Sequence, residues 1–431
     1  MLVVWIPVLG FVVLLLLGLP IAVAIGVPSL LYIMLDGTVP DFTAIQRMVA
    51  GPNSYVLLAI PFFMFAGNLL NESGVTNRIF DFSNKLVGHI RGGLGHVNVV
   101  ASMIFAGMSG AAVADAGGLG VIEVKAMREA KYPERMTIGV TAASSTIGPI
   151  IPPSLIAVVY ASVAQESVGR LFAAGFFPGL LMGLSLMVLV YVQGRQLGLR
   201  VQRRATIKEI LRSFFLTFWS LLTPGIILGG IFLGISTPTE AAAVACVYSI
   251  VLGFLIYREM SVGGFYRALI TSMETTVQVM FIVAAATLFA WILAKEKVPV
   301  LVANFMLTQF DNYYVILLII NLILLLVGCF METVAAINIL VPVFLPLIEK
   351  LGIDPVHFGI IVILNLTIGL LTPPFGTVLF VLSGVAKVSV EDVARHTFVY
   401  LIPLLIVLAI LTLYPPLTLT LPNLLFGKAV G

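Results

Sequence analysis

Two short segments interrupt long apolar stretches of the sequence with hydroxyl, glycine and proline residues. The first reads TIGPIIPPS at residues 146–154, and the second reads TIGLLTPPF at residues 367–375. Adjacent prolines cannot donate backbone hydrogen bonds to the preceding turn, so a helix has to end and restart at each segment. The sequence therefore predicts two broken helices that leave free backbone groups at the middle of a bilayer.

Each predicted break presents two kinds of ligand. The first half-helix should end with free carbonyl oxygens around Ser145, Thr146 and Gly148, and with the nearby hydroxyl groups these form a hard-oxygen site suited to Na⁺. The second half-helix should begin at Pro153, where free N–H groups and the positive end of the helix dipole suit a carboxylate. The pattern predicts a joint site for a cation and an acid. Prolines that only bend packed helices are the alternative interpretation.

Two further apolar segments differ from ordinary spans and predict hairpins beside the breaks. Residues 93–122 are rich in small side chains, and the charges at both ends belong to the same side of the membrane. We therefore expect a re-entrant hairpin with its tip at 107–113, and a second one over 314–346 with its tip at 328–333. For 93–122 the alternative is an ordinary span whose glycines allow close helix packing.

The composition predicts the setting of these segments. The 431-residue chain is 60% hydrophobic and only 10% charged, which is typical of an all-α polytopic membrane protein. Its net charge of +3 does not indicate a nucleic-acid partner. Hydropathy predicts ten spans, at 2–18, 20–35, 54–71, 137–164, 171–194, 214–235, 239–257, 275–294, 357–384 and 398–424.

The charge distribution predicts the topology. Residues 195–212 carry six lysines and arginines and one acid, so we place them in the cytoplasm. Following the spans outward from this linker puts 17 of the 23 lysines and arginines on the same side. Both ends of the chain are then expected outside.

The predicted elements repeat. Residues 1–212 would hold scaffold spans within 2–71, an amphipathic arm at 76–90, the hairpin 93–122, the broken span 137–164, a span at 171–194 and the linker 195–212. Residues 213–431 would hold scaffold spans within 214–257, a span at 275–294, an arm at 298–310, the hairpin 314–346, the broken span 357–384 and a span at 398–424. Because the halves begin on opposite sides, they predict the inverted repeats of a secondary transporter.

The paired TIGxxxPP motifs, the segment MSGAAVADAGGLG at 108–120 and the segment METVAAINILVP at 331–342 resemble the large membrane subunit of tripartite ATP-independent periplasmic (TRAP) transporters. This resemblance covers essentially the whole chain. It implies an elevator-type, Na⁺-driven uptake system for an organic acid such as sialic acid or a C4-dicarboxylate, in the inner membrane of a bacterium or archaeon. The implied partners are a periplasmic binding protein, the surrounding lipid and a small four-helix membrane subunit. Since the chain begins directly at the large-subunit region, we expect the small subunit to be a separate polypeptide.

The resemblance also implies site residues. The first Na⁺ site should use Ser109, Gly148, Ile151 and Pro153. The second should use Glu332, Thr333, Gly369, Thr372 and Pro374. The substrate should face Ser144, Ser145, Asn365 and Thr367.

Two positions depart from the family pattern. Ala111 replaces a serine found in many relatives, which removes a hydroxyl but keeps a carbonyl. Glu332 replaces an aspartate, so it either ligates the ion or orients the hairpin tip. Asp115, an acid expected within the membrane, should cap the outgoing helix of the first hairpin or serve a cation.

The sequence argues against other function classes. It contains no HExxH or GxSxG motif, so an intramembrane enzyme is not expected, and no GxxxxGK[ST] loop of a nucleotide-driven pump. The remaining alternative is a stand-alone Na⁺/dicarboxylate symporter of related fold that needs no binding protein.

Overall fold

The computed structural model describes residues 5–199 and 201–427, which are helical with no β-strand among them. The first half of the chain forms eleven helices: α1 (Trp5–Leu16), α2 (Ile21–Asp36), α3 (Phe42–Ala50), α4 (Ala59–Glu72), α5 (Val75–Val87), α6 (Gly93–Ser109), α7 (Ala112–Gly117), α8 (Leu119–Glu129), α9 (Glu134–Ser145), α10 (Leu155–Ala164) and α11 (Val168–Gln196). The second half forms ten: α12 (Ile207–Phe232), α13 (Pro238–Val251), α14 (Val262–Lys295), α15 (Val298–Gln309), α16 (Tyr313–Phe330), α17 (Thr333–Lys350), α18 (Pro355–Gly369), α19 (Thr377–Ala386), α20 (Val390–Leu413) and α21 (Pro416–Phe426). The predicted all-α, polytopic class is confirmed.

Fewer helices are long enough to cross a bilayer than the ten predicted spans. Seven of the described helices pass by length and hydropathy, and an eighth counts if α4 with its preceding turn and α5, which meet at 72°, form one span. The breaks explain part of this difference, because each broken span consists of two half-helices that are too short alone. Helix α14 is longer than expected, since it begins at Val262 rather than near residue 275.

Polar residues set the starts of several helices. Thr206 with Glu209 and Thr237 with Glu240 form reciprocal capping boxes at α12 and α13, each satisfying two backbone donors. Single acceptors cap other starts, among them Ser154 at α10 and Asp354 at α18. These caps fix the helix boundaries in segments whose apolar residues alone would not define them.

The helices pack in two groups. In one, α4 contacts α13 and α14, while α2 and α3 contact α14. In the other, the half-helices α9, α10, α18 and α19 pack among α6, α8, α11, α16, α17 and α20. Helix α9 is buried from Met136 to Ser145 and α18 from Val356 to Gly369, so the first half of each broken span lies in the protein interior.

Each predicted hairpin segment consists of two helical arms with a non-helical connection. Helices α6 and α8 contact one another, so the chain folds back after Ser109. Helix α16 ends at Phe330, and α17 begins three residues later. The outgoing arms pack crosswise, since α7 contacts α19 and α17 contacts α10. Each hairpin thereby touches the second half of the other broken span.

Candidate functional site

The first hairpin tip lies directly against the first helix break. Gly110 adopts a left-handed conformation at φ +62°, and its carbonyl accepts a hydrogen bond from Leu155 N at 3.4 Å. A Cβ atom at Gly110 would lie 2.7 Å from the carbonyl oxygen of Pro153, and one at Gly148 would lie 3.3 Å from the carbonyl carbon of Ala111. Three of the residues predicted for the first cation site, Ser109, Gly148 and Pro153, therefore come from segments that meet.

The break itself differs in detail from the prediction. Helix α10 begins at Leu155 rather than Pro153, because Ser154 caps it by accepting from Ala157 N at 3.1 Å and donates to the carbonyl of Pro149. The carbonyl of Ser145 is not free, since it accepts from Gly148 N at 3.2 Å. The prediction that Pro153 starts the second half-helix did not take account of the stronger preference for serine at a helix N-cap.

The side chains around the first break point in different directions. The Ser109 hydroxyl is buried and has no hydrogen-bond partner within the described part of the chain. Ile151 packs its side chain against Gly179 of α11, so only its backbone could serve an ion. A buried hydroxyl without a partner is costly, which makes Ser109 a candidate ligand position at this tip.

The second hairpin meets the second break through backbone contacts and through the rings of Phe330 and Phe375, whose centroids are 6.1 Å apart. Phe375 N donates to the carbonyl of Cys329 at 3.2 Å. A Cβ atom at Gly369 would lie only 2.4 Å from the carbonyl carbon of Gly328, so α16 and α18 approach at van der Waals limits. Thr372 donates its hydroxyl to the carbonyl of Ile368 at 3.1 Å, and Pro374 is exposed.

Glu332 occupies the N-cap of α17. One carboxylate oxygen accepts from Val334 N at 2.9 Å and from Ala335 N at 3.3 Å, which is the tip-orienting role that the sequence left open beside direct ligation. The adjacent Thr333 hydroxyl is buried and, among the residues the structure describes, has no hydrogen-bond partner. The second tip thus matches the first in offering a buried, unused hydroxyl.

A cavity of about 430 Å³ is lined by the two tips together with α4 and α14. Ser109, Glu332 and Thr333 line it from the hairpins. Helices α4 and α14 contribute a polar stripe of Asn68, Thr271, Thr275 and Gln278, and the remaining lining is largely apolar, including Ile156 and Val279. In the described ranges, no lysine, arginine or histidine lines this cavity.

A second, more polar cavity of about 440 Å³ adjoins the first. The two share Asn68, Ala114 and Thr271, and the second extends to the ion pair between Arg267 and Glu72, whose atoms are 3.1 Å apart. These charged residues belong to the side that the charge pattern places in the cytoplasm. The shared residues place the second cavity next to the first, on that side of the tips.

The four residues predicted to face the substrate do not line this cavity. Ser144 donates to Asn98 Oδ1 at 2.7 Å, and Asn365 donates to Asn321 Oδ1 at 2.7 Å. Ser145 and Thr367 donate to carbonyl groups of their own helices, and all four side chains are buried. In this structure Ser144 and Asn365 hold the broken helices to the incoming hairpin arms.

Sequence reasoning missed both the stripe on α4 and α14 and the asparagines Asn98 and Asn321. The available signal was the helical spacing of Thr271, Thr275 and Gln278, but hydropathy alone leaves the first of these in a loop. An asparagine within an apolar segment was also informative, because it needs a polar partner on a neighbouring helix.

Asp115 does not cap its helix. Both carboxylate oxygens are buried and lack hydrogen-bond partners among the described residues. The capping role predicted for Asp115 is therefore wrong, since the start of α7 has no side-chain cap. The carboxyl group lies in the same hairpin as Ser109, six residues further along.

The sequence matches the family described as tripartite ATP-independent periplasmic transporter, DctM component, over residues 8–417. It is 45% identical to the sialic acid TRAP transporter large permease protein SiaM of Vibrio cholerae, covering 97% of this chain and 98% of that protein. It is 43% identical to the C4-dicarboxylate TRAP transporter large permease protein DctM of Pseudomonas aeruginosa, covering 86% of each.

Among solved structures, the fold is similar to that of the Alcanivorax borkumensis YdaH transporter. The TM-score is 0.65 over 96% of this chain and 100% of the other, at 16% sequence identity. At that identity the likeness concerns the fold alone.

Proposed function

Because the chain belongs to the DctM family of tripartite ATP-independent periplasmic transporters, we propose that it is a large transmembrane subunit that imports an organic acid with Na⁺. The observation that carries this proposal is the meeting of two hairpin tips and two helix breaks around one cavity. Each tip contributes a buried hydroxyl without a protein partner in the described ranges, at Ser109 and Thr333. Such groups fit a cation with oxygen ligands.

The cavity suits the carboxylate of an organic acid through backbone dipoles rather than basic side chains. Leu155, Thr333 and Thr377 are the first residues of α10, α17 and α19, and all three line the cavity. Three positive helix ends thus converge on one volume. In the absence of a lining arginine or lysine among the described residues, bound Na⁺ would supply the remaining positive charge.

This arrangement supports the proposal of ion coupling. The first Na⁺ site would use Ser109 with the backbone of Gly148, Ile151 and Pro153. The second would use the tip at Thr333 and the backbone around Gly369, Thr372 and Pro374, with Glu332 holding the tip. Ser144 and Asn365 would keep the broken helices aligned with the incoming hairpin arms. Filling both cation sites would make the cavity attractive to an anion, so ion and substrate binding would be coupled.

We further propose an elevator movement by inverted repeats. The two hairpin segments and the broken helices pack against one another, while α4 and α14 line the cavity from the other helix group. The second cavity, which reaches Arg267 and Glu72, would provide a route towards the predicted cytoplasm. Sliding the hairpins and broken helices along α4 and α14 would close this route and open the cavity on the other side.

The partners and location follow from family membership. Relatives are named large permease proteins, which supports a small four-helix membrane subunit as a second chain and a periplasmic binding protein that delivers the substrate. The apolar helices place the protein in a membrane as a multi-pass protein. We assign it to the bacterial or archaeal inner membrane.

Uptake into liposomes tests this function. Candidate sugar acids and C4-dicarboxylates are supplied with the binding protein and the small subunit present, and Na⁺ and H⁺ gradients are imposed separately. We expect uptake only with the Na⁺ gradient and the binding protein. Equal uptake without the binding protein would favour a stand-alone symporter, and uptake driven by H⁺ alone would contradict Na⁺ coupling.

Replacing Ser109 by alanine should weaken Na⁺ dependence without affecting folding. The substitution removes one oxygen ligand but no hydrogen bond seen in the structure, so we expect the Na⁺ concentration for half-maximal uptake to rise by roughly tenfold, about 1.4 kcal/mol. The matched control is Ser185→Ala, whose hydroxyl donates only to its own helix at Met182 O. An unchanged Na⁺ dependence in Ser109→Ala would remove this hydroxyl from the site.

Two substitutions at Glu332 separate capping from ligation. Glu332→Gln keeps an oxygen that can accept from Val334 and Ala335, so we expect nearly normal thermal stability and Na⁺ dependence. Glu332→Ala loses the cap, at about 1 kcal/mol, and should lower both uptake and stability. Thermal unfolding and Na⁺ titration of uptake distinguish the two variants. If Glu332→Gln lost Na⁺ dependence while remaining folded, the carboxylate charge itself would be a ligand.

A further inference from the structure

A basic groove opens beside the second helix break, outside the central cavity. Its volume is about 680 Å³, and its lining includes Arg135, Thr372, Pro373, Arg395, His396 and Phe398. Arg135 lies in the first turn of α9 and Arg395 in the second turn of α20. Both helix starts belong to the side that the charge pattern places in the cytoplasm.

The two arginines are exposed and have no anionic partner among the described residues. In that part of the chain, no carboxylate lies within 4 Å of either guanidinium group. The nearest acid in sequence to Arg135 is Glu134, and its carboxylate is engaged by Arg128 at 2.8 and 2.9 Å. Two positive charges therefore line one groove without forming an ion pair among the described residues.

The groove continues into an apolar surface along α20. Arg395, Phe398, Ile402 and Ile406 follow one another at spacings of three and four residues, which places them on one face of the helix. The three apolar side chains are 68%, 53% and 53% exposed. A stripe of this kind in a membrane protein faces acyl chains, and its charged end lies at the headgroup level.

We propose that this groove binds the headgroup of an anionic phospholipid, with an acyl chain along Phe398, Ile402 and Ile406. Arginine pairs match phosphate oxygens in charge and geometry. Basic pockets on the cytoplasmic side of membrane proteins are suited to such lipids. Because Thr372 and Pro373 line the same groove, the bound lipid would also touch the second break.

Native mass spectrometry of the purified full chain tests the proposal. The protein is titrated with phosphatidylglycerol, with phosphatidylcholine and with glycerol 3-phosphate as separate probes. We expect retention of phosphatidylglycerol, and a loss of about fivefold in its affinity for each of Arg135→Gln and Arg395→Gln. The matched control is Arg203→Gln with Arg204→Gln, which removes two exposed charges from the cytoplasmic linker and should leave affinity unchanged.

Each other outcome contradicts the proposal. Equal losses in the linker control would indicate general electrostatic attraction, and equally tight binding of glycerol 3-phosphate would indicate a free-anion site. Phe398→Ala tests the acyl-chain contact independently. It should weaken the binding of phosphatidylglycerol but not that of glycerol 3-phosphate, so the proposal stays testable if the arginine variants do not fold. If Phe398→Cys formed a cross-link to an added small membrane subunit and the groove retained no lipid, the groove would be a protein interface.

Discussion

Replacing Gly369 by alanine is expected to abolish Na⁺-dependent uptake. The new Cβ would lie 2.4 Å from the carbonyl carbon of Gly328 and 2.6 Å from its oxygen, about 1 Å closer than ordinary contact. The obstructing atoms are backbone, so α16 and α18 have to separate. Overpacking of this kind costs about 1–3 kcal/mol, and the displacement would disturb the bond between Phe375 N and Cys329 O. Initial rates in liposomes should fall by at least roughly tenfold.

Two glycine controls sharpen this prediction. Gly328→Ala places its Cβ 3.2 Å from Leu366 Cα, so it should give a smaller defect of the same kind. Gly229→Ala lies in helix α12, where no described atom comes within 4 Å of the added Cβ, and it should be neutral or slightly stabilising. Normal Na⁺-dependent uptake by folded Gly369→Ala would show that the close approach is not part of the ion site.

The breaks could be predicted from sequence because they rest on local chemistry. Paired prolines end a helix wherever they occur, and a cluster of small residues such as 107–113 permits a tight connection. The first residue of α10 was not predicted correctly, because Ser154 rather than Pro153 sets the start of this helix. The hydrogen bonds of Ser154 with Ala157 and Pro149 decide between the two. Local patterns therefore located both helix breaks to within a few residues.

The cavity could not be predicted, because it depends on how separate helices face one another. Ser144 and Asn365 are polar residues close to the helix breaks in sequence, yet the orientation of their helices turns their side chains towards Asn98 and Asn321. Conversely, hydropathy leaves Thr271 in a loop, whereas the early start of α14 brings it into the cavity. Helix rotation and length are set by packing between distant segments, which a single sequence does not display.

Replacing Gly110 by alanine is the second substitution expected to have a large effect. Gly110 needs a left-handed backbone, which costs a residue with a Cβ about 1–2 kcal/mol. The added Cβ would also lie 2.7 Å from the carbonyl oxygen of Pro153, one of the groups assigned to the first Na⁺ site. We expect loss of Na⁺-dependent uptake by at least roughly tenfold and loss of the thermal stabilisation that Na⁺ gives to the wild-type protein.

Gly37→Ala separates backbone strain from the clash. Gly37 has nearly the same backbone angle, φ +63°, but no described atom lies within 4 Å of the position that its added Cβ would take. Its alanine variant should therefore lose some stability while keeping its response to Na⁺. If both variants lost stability equally and both kept Na⁺ dependence, Gly110 would matter only for the turn. If instead only Gly110→Ala lost its response to Na⁺, ion binding would depend on the contact between the hairpin tip and the broken helix, because Gly110 lies between Ser109 and that contact.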